Sequence, residues 1–141
     1  THLIKIACEH VLGLRPDIPI FGTDYPSRDG SCIRDFIHVS DLAAAHVATL
    51  EHLIGNGRNL LMNCGYGRGF SVREVLAAVE RVAGKPLVIQ EQPRRAGDAM
   101  EVVADNSRLR DELGWRPEHA DIDQMVGDAL AWMRLEVAER A

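Results

Sequence analysis

A capped amphipathic helix that begins near Ser71 is the feature that most constrains how this chain can fold. Ser71 and Glu74 have the spacing of a capping box, and Phe70 and Val75 are placed as its hydrophobic staple. Apolar residues then recur at helical spacing as far as Gly84: Val72, Val75, Leu76, Val79 and Val82. The pattern predicts a helix that buries one face against the rest of the chain.

Short apolar runs alternate with helical patterns along the remaining sequence. Spacing and capping residues predict further helices over about residues 3–11, 40–54, 106–113 and 122–139. Ser40 or Asp41 is expected to cap the second of these, and Asp121 the last. Apolar runs predict strands at residues 18–21, 60–62 and 87–89, with extended pieces at 32–39 and 102–104. The alternation indicates an α/β or α+β fold with one domain over residues 1–141.

Composition narrows the class of protein. The 141 residues are 46% hydrophobic and 26% charged, which fits one globular domain with a core of its own. Sixteen basic residues against 21 acidic ones argue against a broad surface for nucleic acid or anionic membrane. The basic residues comprise 14 Arg and 2 Lys, and Arg suits bidentate recognition of phosphate or carboxylate.

A glycine-rich stretch imitates a dinucleotide-binding fingerprint. Gly65, Gly67 and Gly69 follow a predicted strand and open the capped helix, as such a fingerprint does. The spacing does not fit, because the third glycine of the fingerprint would fall at Phe70. We therefore interpret the stretch as a turn that feeds the helix.

Neither the histidines nor the cysteines are spaced as metal ligands. Three widely separated cysteines argue against a disulfide framework and fit a reducing cytoplasm. His38 lies close to Asp35, Ser40 and Asp41, so a catalytic arrangement can be drawn. Helix capping and a buried hydrogen bond at a strand end explain the same residues more simply. We predict no metal site and no catalytic residue in this chain.

Arginines in apolar or turn-rich settings are the most informative polar residues. Arg34 lies inside an extended apolar run, and Arg94 and Arg95 lie in the loop at residues 93–98. A half-buried guanidinium needs an anionic partner. That partner is either a carboxylate of the chain, in the neighbourhood of Asp35 for Arg34 and at Asp98 for Arg95, or a bound anion such as a diphosphate.

Several stretches resemble one known family when they are read whole. They are the run from Ile20 to Ala43 with its core Arg34-Asp35-Phe36-Ile37-His38-Val39, the run from Asn63 to Val72, Pro93-Arg94-Arg95-Ala96-Gly97-Asp98, Ala104-Asp105, and Leu113-Gly114-Trp115-Arg116-Pro117. Together they resemble the C-terminal half of UDP-glucose 4-epimerases, which are NAD-dependent extended short-chain dehydrogenase/reductases. The resemblance covers essentially the whole chain, and it implies the α/β substrate-binding lobe of that fold.

The resemblance implies a site for a UDP-sugar. Arg34 and Arg95 match the arginines that bind the diphosphate, and charge-assisted bidentate contacts suit that task. Asp98 matches an acid near the ribose or the sugar hydroxyls.

Five more positions complete the implied site. The backbone amide of Leu3 would approach the phosphates, and its neighbour His2 stands where Asn is common in the family. Pro19 and Phe21 match a strand whose backbone reads the uracil edge. Val102 matches a position beside the sugar, where a small side chain would leave room for UDP-N-acetyl sugars.

The implied activity is the interconversion of UDP-glucose and UDP-galactose in galactose metabolism. The family passes a hydride from sugar C4 to NAD⁺ and back to the other face, with a catalytic Tyr-x-x-x-Lys pair. Here Tyr25 and Tyr66 are followed four residues on by Asp29 and Phe70. We expect NAD to be bound by an N-terminal Rossmann domain that is mostly absent here, and the chain alone to be inactive and to expose apolar faces.

Other expectations and alternatives remain open. The chain begins with Thr1 directly before a predicted helix, which suggests a fragment, although a processed start would look the same. The resemblance implies a homodimer for the full-length form, and we expect no nucleic-acid or membrane partner. Another UDP-sugar epimerase, a sugar-nucleotide dehydratase and a non-catalytic nucleotide-sugar-binding module are the competing functions.

Overall fold

A computed structural model describes residues 2–140, in which five helices alternate with five short strands. The helices are α1 (Leu3–Val11), α2 (Val39–Asn56), α3 (Val72–Ala83), α4 (Ser107–Leu113) and α5 (Ile122–Glu139). The strands are β1 (Ile18–Phe21), β2 (Ile33–Arg34), β3 (Phe70–Ser71), β4 (Ile89–Gln92) and β5 (Glu101–Val102). The predicted α/β class is confirmed, and each predicted helix is present.

Two small sheets contain the strands. β1 and β4 pair in parallel, with Ile18 opposite Ile89. In the other sheet β2 lies between β3, which is antiparallel to it, and β5, which is parallel to it. This arrangement places Arg34 opposite Phe70 on one side and Val102 on the other.

The main core lies where α1, α3 and α5 pack with β1. Ile18 and Ile20 of β1 are fully buried in it, because alternate residues of a strand face the same side. Pro19 and Phe21 therefore face the opposite side, where both are half-buried. One face of β1 is thus part of the core, and its other face, with Pro19 and Phe21, is partly open to solvent.

The capped helix forms as predicted. The Ser71 hydroxyl accepts a hydrogen bond from the Glu74 amide at 3.0 Å, and the Glu74 carboxylate accepts one from the Ser71 amide at 2.8 Å. Phe70 and Val75 are both buried in the main core, as a hydrophobic staple requires.

The expected cap of α2 is wrong. The helix begins at Val39, and the His38 side chain caps it by accepting a hydrogen bond from the Ser40 amide at 3.1 Å. Asp41 does not cap, because its carboxylate accepts amide hydrogen bonds from another segment of the chain.

Three strand predictions need correction because strands depend on their partners. Of the extended run at residues 32–39, only Ile33–Arg34 is a strand, since its neighbours are two residues long. The strand predicted at 87–89 lies at Ile89–Gln92, where the pairing with β1 runs. The extended piece predicted at 102–104 is the strand Glu101–Val102.

The buried strand predicted at residues 60–62 does not form. Within residues 2–140 no strand pairs with it, and Leu61 is 87% exposed. The run lies beside one face of α2, and together they line an open apolar surface that we call the α2 groove: Leu42, Ala45, His46, Thr49, Leu50, Leu53, Leu60, Met62, Asn63, Cys64 and Leu109. The expected exposed apolar face is confirmed here.

Candidate functional site

Arg95 lies on the ring of Phe21. The guanidinium carbon of Arg95 is 3.6 Å from the ring centroid, and the residue is exposed. No carboxylate among residues 2–140 pairs with this guanidinium, so the alternative of an ion pair with Asp98 is not seen. The Asp98 amide instead donates to the Arg95 carbonyl at 3.2 Å, which closes a turn. The charge of Arg95 is therefore available to an external anion.

Arg34 is held by the other end of the same turn. Its guanidinium forms an ion pair with the Asp98 carboxylate, and both side chains are about 30% exposed or less. It also donates to the carbonyls of Ile33 at 2.6 Å and Ala99 at 2.8 Å. Arg34 therefore has a carboxylate partner, but the partner is Asp98 rather than one near Asp35, whose carboxylate accepts backbone amides. The two arginines are attached to opposite ends of the turn at residues 95–98.

The structure brings several of the predicted site residues to this turn. Phe21 lies under Arg95, and Asp98 pairs with Arg34. Val102 stands opposite Arg34 in the sheet and is 54% exposed. Pro19 shares with Phe21 the half-buried face of β1.

The remaining two predicted residues lie at the start of α1. Within the described residues no hydrogen bond or ion pair connects His2 or Leu3 with the arginines. His2 is exposed and occupies the N-cap position, but its side chain makes no capping hydrogen bond. Leu3 packs partly against the main core. The first turn of α1 therefore lacks a side-chain acceptor, and backbone amides at a helix start attract anions.

The glycine-rich stretch binds a carboxylate of the chain. Asp35 accepts hydrogen bonds from the amides of Tyr66 at 3.0 Å, Gly67 at 2.9 Å and Ala104 at 3.2 Å. A Cβ at Gly65 would lie 2.6 Å from the Asp35 carboxylate and 2.7 Å from the Ala104 side chain. The interpretation of this stretch as a structural turn is confirmed.

His38 has a structural role, as the simpler interpretation predicted. It is 7% exposed, its Nδ1 atom caps α2, and its Nε2 atom lies 3.0 Å from the Asp128 carboxylate of α5. The His119 ring stacks against it with centroids 4.8 Å apart. These contacts attach the start of α2 to α5.

Asp41 organises a polar cluster that sequence reasoning missed. This carboxylate is 2% exposed and accepts hydrogen bonds from the Tyr66 hydroxyl at 2.5 Å and from the amides of Glu118 and His119 at 3.0 and 2.9 Å. Burial alone would raise the pKa of Asp41, but these hydrogen bonds lower it below its ordinary value. Burial and the Asp41 carboxylate both raise the pKa of Tyr66. Tyr66 is therefore a neutral donor here rather than a base.

The described residues hold neither a cluster of metal-ligand side chains nor a membrane-spanning helix. Among residues 2–140 no three His, Cys, Asp or Glu side chains gather as metal ligands would. In the same part of the chain no helix combines the length and apolar character needed to cross a bilayer.

Comparison with known proteins shows the family. The family model of GDP-mannose 4,6 dehydratase matches residues 1–129. The UDP-glucose 4-epimerase of Azospirillum brasilense is 55% identical over 134 residues, which are 95% of this chain and 38% of the relative.

Solved structures agree. A UDP-Glc/GlcNAc 4-epimerase from Campylobacter jejuni has a TM-score of 0.86 at 42% identity, over 94% of this chain and 40% of that one. UDP-glucose 4-epimerase from Bifidobacterium longum, in complex with NAD⁺ and UDP, has a TM-score of 0.87 at 36% identity, over 96% of this chain and 40% of that one. This chain thus spans about 40% of the length of the proteins it matches. It belongs to the NAD-dependent epimerase/dehydratase family of extended short-chain dehydrogenase/reductases, and it matches the C-terminal portion of UDP-glucose 4-epimerases.

Proposed function

We propose that this chain holds the UDP moiety of UDP-glucose and UDP-galactose for their interconversion by an NAD-dependent UDP-glucose 4-epimerase. The single observation that carries the proposal is the Arg95 guanidinium, which lies on the Phe21 ring and makes no ion pair within residues 2–140, in the same turn whose Asp98 pairs with Arg34. The names of the relatives favour an epimerase over a dehydratase. A cytoplasmic, homodimeric whole protein is part of the same proposal.

The chemistry explains why such a lobe grips the nucleotide rather than the sugar. Epimerisation at C4 requires the sugar to present either face to the same reactive group. Binding energy must therefore come from a part of the substrate that does not turn over, and the diphosphate is such a part. Arg95 supplies a free positive charge for it, and Arg34 supplies a second one once a phosphate competes with Asp98.

The residues of this chain do not fit NAD. In its glycine-rich stretch before α3, the Tyr66 and Gly67 amides already donate to the Asp35 carboxylate. They are therefore not available to the phosphates of a dinucleotide. We assign the cofactor to the part of the family fold that this chain does not contain, and we expect the chain alone to have no epimerase activity.

The small side chain of Val102 favours a substrate range that includes UDP-N-acetyl sugars as well as UDP-glucose and UDP-galactose. Its side chain is small and 54% exposed on the outer strand β5, opposite Arg34. A form of the protein that carries an NAD-binding part is expected to turn over UDP-N-acetylglucosamine, and a Val102→Tyr variant is expected to lose this activity while it keeps UDP-glucose turnover. Failure of both UDP-N-acetyl sugars as substrates would contradict the proposal.

Titration of the purified chain with UDP, followed by NMR, tests the proposed nucleotide site. We expect shifts of the Arg95 and Phe21 signals, and uridine is expected to bind more weakly by at least about tenfold, since it lacks the charge-assisted contacts to phosphate. Equal binding of uridine and UDP would contradict the diphosphate assignment. Conversion of UDP-glucose to UDP-galactose by the chain with added NAD⁺ would contradict its expected inactivity. As a part of an epimerase the chain is expected to bind UDP only weakly, whereas tight unaided UDP binding would favour the non-catalytic module.

A further inference from the structure

Two adjacent arginines in the loop after β4 have opposite surroundings. Arg95 makes no ion pair within residues 2–140, whereas Arg94 is fully engaged with the loop after β1. The Arg94 Nε atom donates to the Asp24 carboxylate at 2.7 Å, and Nη2 donates to the Asp24 carbonyl at 2.5 Å. The guanidinium carbon of Arg94 lies 4.1 Å from the centroid of the Tyr25 ring.

The Tyr25 ring that Arg94 contacts is held in place by burial and by a backbone hydrogen bond. Tyr25 is 6% exposed, and its amide donates to the Gly30 carbonyl at 2.9 Å. A Cβ on Gly22 would lie 2.4 Å from the Tyr25 ring and 2.8 Å from the Arg94 side chain, and Gly22 has a φ of +79°. Gly22 therefore allows this close packing, which a larger residue would prevent.

Both arginine–aromatic contacts are made by neighbouring residues of the short loop after β4. Arg94 joins the loop to Tyr25, and the next residue, Arg95, lies on Phe21, three residues before Asp24. Because adjacent residues share a backbone, fixing Arg94 restricts where the Arg95 guanidinium can lie. The Asp24 carboxylate also neutralises Arg94, so its charge is engaged within the chain while that of Arg95 is free.

We propose that Arg94 is a positioning residue, which holds Arg95 over Phe21 through its contacts with Asp24 and Tyr25. The inference rests on the proposed function, since Arg95 is the group that it serves. It assigns a role to the segment from Gly22 to Gly30, whose Asp24 and Tyr25 contact Arg94 in the loop after β4. Arg94 itself is not assigned any contact with the nucleotide.

Replacement of Arg94 by lysine tests this role, because lysine keeps the charge and loses the planar stack and the two directed hydrogen bonds. We expect about tenfold weaker UDP binding, in line with the loss of one exposed ion pair and one cation–π contact. Asp24→Asn is expected to weaken binding in the same direction. Arg81→Lys is the matched control, since Arg81 makes a similar two-contact pair with Asp123 on α3 and α5.

Two readouts separate positioning from a general structural role. In an Arg95→Ala background, Arg94→Lys is expected to have no further effect on UDP affinity. The Arg95 side-chain signals, shifted by the Phe21 ring current in the parent chain, are expected to move toward those of a free arginine in Arg94→Lys, but not in Arg81→Lys.

The outcomes are distinct from those that test the nucleotide site. If Arg94→Lys binds UDP within about twofold of the parent chain, or if the Arg95 signals do not move, the positioning role is wrong. If no form of the chain binds UDP, the proposed function fails, and the NMR signals of Arg95 still decide whether Arg94 positions it.

Discussion

UDP affinity is expected to fall by about two orders of magnitude when Arg95 is replaced by alanine, because a bidentate contact contributes two charge-assisted hydrogen bonds to phosphate. The same change is expected to leave the free energy of unfolding almost unaltered. Arg95 is exposed and lies on the Phe21 ring, and within residues 2–140 its guanidinium makes no ion pair. Calorimetric titration with UDP and urea denaturation of the same samples measure the two quantities.

Arg34→Ala provides the contrast, since it is expected to reduce both UDP affinity and stability. The change leaves the half-buried Asp98 carboxylate without its ion pair and removes the guanidinium that donates to the carbonyls of Ile33 and Ala99. A loss of about 1–3 kcal/mol in the free energy of unfolding is expected. If both variants lose stability equally, or if neither loses UDP affinity, the proposed division of roles is wrong.

Asp41→Ala is expected to be strongly destabilising, with a loss of about 2–4 kcal/mol in the free energy of unfolding, because buried donors lose their acceptor. It would leave the amides of Glu118 and His119 without their acceptor, and the Tyr66 hydroxyl would be left with the His119 carbonyl, 3.2 Å away. Urea denaturation measures the loss. A change below about 1 kcal/mol would contradict the central role of this carboxylate.

The lowered pKa of Asp41 also predicts a dependence on pH. Protons bind the unfolded chain more readily than the folded one at this group, so its stabilisation is complete above the ordinary carboxyl pKa. That stabilisation is lost as the pH falls through the lower folded value. Between about pH 5 and about pH 3 the parent chain is expected to lose more stability than Asp41→Asn, in which the group does not titrate. Parallel pH curves for the two proteins would contradict this assignment.

Local signals predicted the helices well, and non-local pairing explains the errors. The capping box of α3 and the Asp121 cap of α5 act within one turn, so a sequence pattern reveals them. The strand at Ile89–Gln92 is set by its pairing with β1, which lies about 70 residues earlier in the chain and leaves no local signal. The run at residues 60–62 has the composition of a buried strand, but composition cannot supply a partner.

In the candidate site, too, sequence indicates which residues matter, and only the fold shows which of them contact each other. The family resemblance implies Arg34 and Arg95 as site residues, and this stays a prediction, whereas the ion pair of Arg34 with Asp98 joins residues 64 apart and only the fold reveals it. Asp41 was recognised as a residue suited to a helix start, but the amides that it binds come from the segment before α5. Sequence alone could not tell which of Arg94 and Arg95 was paired, because both share one loop and one side-chain type.

The α2 groove has a practical consequence for the study of this chain. Leu50 is 58% exposed while the chain is folded, so the native state already offers a surface for fluorescent dyes that report on exposed hydrocarbon. In a thermal melt followed by such a dye, the folded chain would already give strong fluorescence. The increase in fluorescence on unfolding would therefore be small. Circular dichroism, which reports on the helices themselves, is the sounder probe for every stability comparison made above.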